Sequence, residues 1–216
     1  MSKIIGIDLG TTYSAIAQLD DLGNPEVLAS TDSNKKITAS TVYIKDENVI
    51  VGDKALDALA ATPKNVVTET KRQMENDAVY SIENGEWIDK GDDNNKSYSP
   101  AQISSFILSK LKSYTSDVKK AVITVPALFA EKARVATLDA AKMAGIEVIS
   151  LINEPTAAAC YYASLPNVKK ITGKILVFDL GGGTFDVTVC DVQGQKVEVI
   201  TAEVINGLEE KILTRN

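Results

Sequence analysis

The chain has 216 residues, of which 44% are hydrophobic and 24% are charged, and its formal net charge at pH 7 is -6. This composition is typical of a globular protein with a substantial core, and the acidic balance argues against a nucleic-acid-binding surface. The sequence contains no histidine, which excludes Ser-His-Asp triads and His-ligated metal sites, so any metal is expected to be a hard, oxygen-bound cation.

No apolar run approaches the length of a membrane span, and the first residues carry no secretory signal. We therefore expect a cytoplasmic protein with neither membrane nor nucleic-acid partners. The two cysteines, Cys160 and Cys190, can pair or stay free. Because nothing indicates an oxidising compartment, free and buried thiols are expected.

The chain opens with an apolar strand that ends in Asp8 and turns through small residues into a second, alternating strand. Residues 4–8 and 13–19 therefore predict a hairpin, and a third strand is predicted at 26–29. The turn of the hairpin consists of Gly10, Thr11, Thr12 and Tyr13.

The character of the sequence then changes, and residues 37–96 predict an inserted α+β subdomain. Short strands are predicted at 41–44 and 48–51, and helical stretches at 53–60 and 65–74. A polar segment with glycines and an Asp-Asp-Asn-Asn run at 92–95 follows, which lacks calcium-loop spacing and is expected to be a solvated turn.

A clear helix start follows at Ser99-Pro100-Ala101-Gln102, where serine is the N-cap, proline suits the first helical position and Gln102 completes a capping box. Buried strands are predicted at 121–125 and 148–152. Helices are predicted at 131–144, closed by Gly145, and from Pro155 to about Ser164.

The pattern of the first hairpin then returns. An apolar strand at 175–179 ends in Asp179, the chain turns through Gly181, Gly182 and Gly183, and strands are predicted at 184–191 and 196–201. Runs of glycine allow the backbone N–H groups to approach an anion, Thr184 adds a hydroxyl donor, and the aspartates can hold a cation. Two copies of this arrangement indicate a duplicated domain whose two turns bind the phosphates of a metal-bound nucleotide.

Together with Ile-Asn-Glu-Pro-Thr-Ala-Ala-Ala at 152–159 and Val-Ile-Thr-Val-Pro-Ala at 122–127, both turns resemble the ATPase domain of the DnaK-type 70-kDa heat shock chaperones. The resemblance implies an α/β fold, an actin-like or ribonuclease H-like ATPase lobe (βββαβα) with an inserted α+β subdomain. It divides the chain into the first lobe at 1–36 and 97–172, the insertion at 37–96, the opening strands of a second lobe at 173–205 and an atypical tail at 206–216.

The resemblance also implies roles for particular residues, with ATP or ADP and Mg²⁺ as cofactors. Asp8, Asp179 and Glu154 would hold hydrated magnesium, Lys71 would lie beside the γ-phosphate, and Pro126 and Arg134 would relay the nucleotide state. The two turns would bind phosphate, the first with Gly10, Thr11, Thr12 and Tyr13, and the second with Gly181, Gly182, Gly183 and Thr184.

Each of these residues also has a plain structural explanation. An aspartate can cap a turn, a glycine can simply permit a tight turn, a helical lysine is usually solvated, and Glu154 can favour a helix start. Pro126 and Arg134 are equally compatible with a structural proline and a surface arginine, because Leu128 replaces the family's usual aromatic residue.

The family pattern predicts adenosine-binding loops, a peptide-binding domain and a lid that have no counterpart in these 216 residues. We therefore expect an ATP-binding fragment of a chaperone, weak or inactive alone, whose parent hydrolyses ATP and works with unfolded peptides, a J-domain cochaperone and a nucleotide-exchange factor. Exposed strands would permit self-association. The alternatives are a non-catalytic interaction or dimerising module and a kinase of the actin and sugar-kinase superfamily.

Overall fold

In a computed structural model of the chain, the structure describes residues 3–90, 97–165, 172–181, 185–194 and 196–205. Two compact units make up the chain. Unit 1 holds Met1–Ile123 and Ala130–Ser150, and unit 2 holds Thr124–Phe129 and Leu151–Asn216. The predicted polar turn at 92–95 and the tail at 206–216 lie outside the described residues.

The largest sheet of the chain has the strand order β12-β11-β1-β2-β3, with β4 pairing to β2. Strand β1 runs antiparallel to β2 and parallel to β11, so that Ile7 is opposite Ile16 on one side and Ile123 on the other. All three side chains are buried and form part of the core. The strands are β1 (Lys3–Asp8), β2 (Tyr13–Leu19), β3 (Pro25–Val27), β4 (Thr38–Ala39), β11 (Val118–Val125) and β12 (Glu147–Asn153).

The strand predicted at 148–152 was expected to be buried, and this expectation was wrong. In β12, Val148 is half-buried and Ile149 is 49% exposed. An apolar run alone does not reveal whether a strand is covered on both faces, since that depends on the elements packed against it.

Two helices of unit 1 pack against each other, α2 (Pro100–Lys112) and α3 (Glu131–Met143), and α2 also packs on β2. The predicted capping box of α2 is confirmed. The Gln102 N–H donates to Ser99 Oγ at 3.2 Å, and the Ser99 N–H donates to Gln102 Oε1 at 2.8 Å. Gly145 follows α3 with a φ of 66°, a conformation that glycine adopts at no steric cost.

Between β3 and α2 lie two small three-stranded sheets, ordered β6-β5-β7 and β10-β8-β9, and one short helix. The helix predicted at 65–74 was wrong, because Val66–Val67 pairs with β5. The 3₁₀ turns Pro63–Asn65 and Thr70–Gln73 flank this strand. The elements are β5 (Val42–Lys45), β6 (Asn48–Val51), α1 (Asp53–Asp57), β7 (Val66–Val67), β8 (Ala78–Ser81), β9 (Glu86–Asp89) and β10 (Ser97–Tyr98).

The described residues of unit 2 form one helix, α4 (Glu154–Ser164), and a sheet of the order β13-β14-β15. All three strands are antiparallel to their neighbours, and α4 packs on the sheet. On one face, Thr188 and Cys190 are buried, which identifies this face as the one that α4 covers. The strands are β13 (Gly173–Leu180), β14 (Phe185–Gln193) and β15 (Lys196–Ile205).

Both cysteines are free, as expected, but only one is buried. Cys190 is buried in β14, and burial raises the pKa of its thiol, whereas Cys160 is exposed on α4. The expectation of two buried thiols was therefore wrong for Cys160. None of the described helices is long and apolar enough to cross a membrane.

Candidate functional site

Three carboxylates of unit 2 come together where the covered face of its sheet meets the start of α4. Asp179 of β13 and Asp186 of β14 are directly opposite each other in the hairpin, and Glu154 is in the first turn of α4. One carboxylate oxygen from each residue lies within 4.8 Å of the others. All three residues are half-buried. The structure thus brings the predicted pair Glu154 and Asp179 together with a third acid.

The chemistry of this donor set fits a hard divalent cation. Carboxylate oxygens are the ligands that Mg²⁺ prefers, and Mg²⁺ usually keeps several waters and takes only a few protein carboxylates. Three negative charges at this distance repel one another, and partial burial strengthens the repulsion. A bound cation would offset that repulsion, so the donor set fits the magnesium that the sequence predicts.

Sequence reasoning missed Asp186, although the signal was present. Leu180 pairs with Phe185 at the end of the hairpin, so the residues just before and just after this pair must also face each other. The positions of Asp179 and Asp186 on either side of the loop therefore indicated that the two acids form a cross-strand pair. Gly181 is exposed at the end of β13, and Gly182, Gly183 and Thr184 lie outside the described residues.

In unit 1, the first predicted phosphate turn follows Asp8, which is exposed at the end of β1. Gly10 is needed there for steric reasons, since a Cβ on this residue would clash with the carbonyl oxygen of Tyr13. The Gly10 N–H donates to Ser14 Oγ at 3.2 Å, and Ser14 Oγ lies 2.8 Å from Ser40 Oγ. Ser14 is 1% exposed, and its role in holding the turn was not predicted.

The remaining residues of this turn are more open to solvent. Thr11 is half-buried, Thr12 is exposed, and the Tyr13 side chain is 46% exposed. The Thr12 carbonyl accepts a hydrogen bond from the Ser40 N–H at 2.8 Å. This bond ties the backbone of the turn to Ser40, the residue that follows β4. Hydrogen bonds to Ser14 and Ser40 therefore hold the backbone of the turn, while its outer side chains face solvent.

Lys71 lies half-buried in the 3₁₀ turn Thr70–Gln73, not in the helix that the sequence predicted. Glu69 precedes the turn in the left-handed conformation, with φ 54°, and its carboxylate pairs with the Arg72 guanidinium at 3.0 Å. Thr70 is 2% exposed, and its hydroxyl has no hydrogen-bond partner within the described part of the chain. Left-handed non-glycine residues are uncommon and concentrate at functional sites.

The segment after Lys71 is tied to the start of α3, a feature that was not predicted. The Ala130 N–H at the N-cap of α3 donates to Glu75 Oε1 at 3.0 Å, and Lys132 pairs with Asp77 at 2.9 Å. Ala130 has no side-chain oxygen, so a carboxylate from another segment supplies the capping acceptor. Nothing in the local sequence of α3 could have indicated this.

The two predicted coupling residues belong to different units. Pro126 is half-buried in unit 2 at the turn that follows β11, where its carbonyl accepts the Phe129 N–H at 3.2 Å. Arg134 is half-buried on the second turn of α3 in unit 1. Asp8, Lys71 and the first turn also belong to unit 1, whereas Glu154 and Asp179 belong to unit 2.

The sequence is similar to that of known proteins along nearly its whole length. The family model described as "Hsp70 protein" matches residues 4–207. The chain is similar to "Chaperone protein DnaK" of Mycoplasmopsis agalactiae, with 44% identity over 210 residues that cover 95% of this chain and 32% of the relative. It is also similar to "Chaperone protein DnaK" of Carsonella ruddii, with 41% identity over 213 residues, 89% of this chain and 34% of the relative. The chain thus spans about a third of the length of these curated relatives.

Proposed function

Because this chain belongs to the Hsp70 family, we propose that it is a phosphate- and magnesium-binding part of a DnaK-type chaperone ATPase with an actin-like fold. The observation that carries the proposal is the carboxylate cluster of Glu154, Asp179 and Asp186. Three close carboxylates form an oxygen-rich, negatively charged donor set, which is the chemistry that a hard divalent cation prefers.

In the proposed site, carboxylates would bind magnesium, and backbone N–H and hydroxyl groups would bind phosphate. Asp8, Asp179 and Glu154 would hold magnesium through water, and Asp186 would add a fourth carboxylate in this chain. When bound, Mg²⁺ neutralises phosphate charge and fixes the orientation of the phosphates. Backbone N–H groups of the second turn and the Thr184 hydroxyl would donate to phosphate oxygens, and such preorganised donors can each contribute about a hundredfold in rate.

On the phosphate side, Lys71 places an ammonium group beside the γ-phosphate and offsets the charge that develops during in-line attack by water. The turn of Gly10, Thr11, Thr12 and Tyr13 contributes further donors. In this structure the Gly10 N–H already donates to Ser14, so Thr11 and Thr12 are the better placed donors of that turn.

The parent activity that the relatives' names indicate is chaperone function. We extend it to ATP hydrolysis coupled to protein folding in the cytoplasm, with unfolded peptides, a J-domain cochaperone and a nucleotide-exchange factor as partners of the longer protein. For the chain itself we expect weak nucleotide binding, because every contact assigned to it reaches phosphate or metal and none reaches the adenine.

A metal titration tests the proposal. Mn²⁺, a paramagnetic stand-in for Mg²⁺, is added to the full chain, and free Mn²⁺ is followed by its electron paramagnetic resonance signal. We expect one saturable site that Asp179→Asn weakens at least tenfold and that Mg²⁺ competes for. Asp191→Asn, in the neighbouring strand β14, is the matched control. Equal Mn²⁺ binding by the wild type and Asp179→Asn would contradict the proposal.

A further inference from the structure

The Lys71 segment, which we define as residues 69–77, is attached to another part of unit 1 by two acidic side chains. Glu75 Oε1 accepts the Ala130 N–H at 3.0 Å, and the Asp77 carboxylate pairs with the Lys132 ammonium at 2.9 Å. Both partners are at the start of α3 and far from the acids in sequence. The attachment is therefore a tertiary contact.

Glu75 supplies a group that α3 lacks in its own sequence. In a capping box, a glutamate or glutamine at the third helical position accepts the N–H of the N-cap residue. In α3 the N-cap is Ala130 and the third helical position is Ala133, whose side chain has no acceptor. The Glu75 carboxylate takes that place from outside the helix, and its negative charge suits the positive end of the helix dipole.

The other end of α3 is held by a charge of the opposite sign. Lys112 Nζ, in the last turn of α2, donates to the carbonyl oxygen of Ala144 at 3.2 Å and to that of Gly145 at 2.9 Å. Because α2 and α3 also pack against each other, α3 is fixed within unit 1 at both of its ends. Glu75 thus attaches the Lys71 segment to a firmly held helix.

Between Glu75 and Lys71 the chain has little freedom. Thr70 and Met74 are each 2% exposed, and the 3₁₀ turn that contains Lys71 packs on α2. The Met74 N–H donates to the Lys71 carbonyl oxygen at 3.4 Å. A displacement at Glu75 is therefore passed on to the backbone of Lys71, since no loose loop lies between them.

We infer that Glu75 is a positioning residue for Lys71, and that its bond to the Ala130 N–H fixes the place of the Lys71 ammonium group. The inference rests on the proposed function, in which this ammonium lies beside the γ-phosphate. The attraction between two charges falls with their distance, so a shift of the turn weakens the contact with phosphate. A side chain that holds another in its working place acts through preorganisation.

Asp77 has the weaker part in this attachment. The Asp77 side chain is 86% exposed and that of Lys132 is 49% exposed, so solvent screens the pair, and both side chains lose freedom when it forms. Glu75 instead binds a backbone N–H that the helix already holds, so only one side chain has to be ordered. Replacing Glu75 should therefore loosen the Lys71 segment more than replacing Asp77.

Amide hydrogen exchange of the full chain, followed by nuclear magnetic resonance, tests the attachment. Glu75→Ala removes the acceptor and should speed exchange at Ala130 and Met74 by at least about threefold. Glu75→Gln keeps an oxygen that can accept the same N–H, and should restore the slow exchange. Glu47→Ala, at an exposed acid in the turn between β5 and β6, is the matched control. Circular dichroism establishes that the variants are folded.

Titrations with ATP and with ADP in the presence of Mg²⁺, followed by chemical shifts, test the consequence for phosphate binding. Glu75→Ala and Lys71→Met should each weaken ATP binding by at least about threefold and leave ADP binding unchanged, and the double variant should be no weaker than Lys71→Met alone. Glu75→Gln should bind ATP as the wild type does. A purely structural role of Glu75 would weaken ATP and ADP binding alike and would add to the effect of Lys71→Met.

Unchanged exchange at Ala130 and Met74 in Glu75→Ala would overturn the inference. So would wild-type ATP affinity of Glu75→Ala in a chain in which Lys71→Met weakens ATP binding, and that result would leave the proposed function intact. Wild-type ATP affinity of Lys71→Met would instead remove Lys71 from the proposed site, and the positioning role of Glu75 with it.

Discussion

Asp179 and Asp186 are directly opposite each other across β13 and β14, half-buried, with carboxylate oxygens within 4.8 Å of each other and of Glu154. Like charges at opposed positions of an antiparallel pair destabilise the sheet. A divalent cation bound at this cluster would offset the repulsion, so that cation binding and the stability of unit 2 would be linked.

Replacing one acid of the pair should stabilise the metal-free chain. Asp179→Asn removes one like-charge contact and keeps the shape of the side chain, so we expect a gain of about 0.5 kcal/mol in the free energy of unfolding in the presence of a chelator. Saturating Mg²⁺ should shift the wild type upward and the variant much less. Urea unfolding with and without Mg²⁺ measures both effects, with Asp191→Asn as the control. A loss of stability for Asp179→Asn in chelator would contradict the repulsion.

Gly10 should not tolerate a side chain. A Cβ at this position would lie closer than 3.0 Å to the Tyr13 carbonyl oxygen, so Gly10→Ala should shift the backbone of the turn and cost about 1 to 3 kcal/mol. The control is Gly6→Ala in β1, where a Cβ would meet nothing within 4 Å. Because alanine loses less conformational freedom than glycine in a strand, Gly6→Ala should stabilise by about 0.5 kcal/mol. Thermal unfolding midpoints compare the two, and equal effects would show that the turn can relax.

The Asp32–Lys110 pair should give unit 1 a small dependence of stability on pH. The Lys110 ammonium donates to Asp32 Oδ2 at 2.6 Å, and this bond holds the pKa of Asp32 below its usual range. A lowered folded-state pKa stabilises the fold above the unfolded-state pKa, and this contribution is lost as the pH falls through the folded-state value.

Asp32→Asn should therefore cost at most about 1 kcal/mol near neutral pH, because the Asp32 side chain is 39% exposed and solvent screens the pair. The difference from the wild type should shrink once the pH falls below about 4. Urea unfolding at a series of pH values measures it, and exposed Asp21→Asn is the control. A difference that persists to the most acidic pH would show that Asp32 acts through something other than its charge.

Local signals in the sequence predicted much of the fold. Ser99, Pro100 and Gln102 specify the start of α2 through side-chain and backbone chemistry that is complete within four residues, and the structure shows it. The hairpins of β1 with β2 and of β13 with β14 were also predicted, because each consists of apolar strands interrupted by glycine. These elements depend little on what packs against them.

Other features depend on contacts between distant segments, and the sequence did not predict them. Val66–Val67 is a strand because it pairs with β5, and Glu69 in the left-handed conformation prevents a helix from continuing into Lys71. The capping of α3 by Glu75 joins residues 55 positions apart. Asp186 could have been predicted as a member of the cluster, because the register of the short hairpin places it opposite Asp179.

The most direct measurement of the central claim is a calorimetric titration of the full chain with ATP, with and without Mg²⁺, in the wild type and in Asp179→Asn. We expect magnesium-dependent, saturable binding with a dissociation constant above about 0.1 mM, which corresponds to less than roughly 5.5 kcal/mol. Asp179→Asn should abolish the magnesium dependence. Low-micromolar affinity would contradict weak binding by this chain. The absence of heat at about 5 mM ATP, or binding that is indifferent to both Mg²⁺ and Asp179, would contradict a magnesium–phosphate site at the carboxylate cluster.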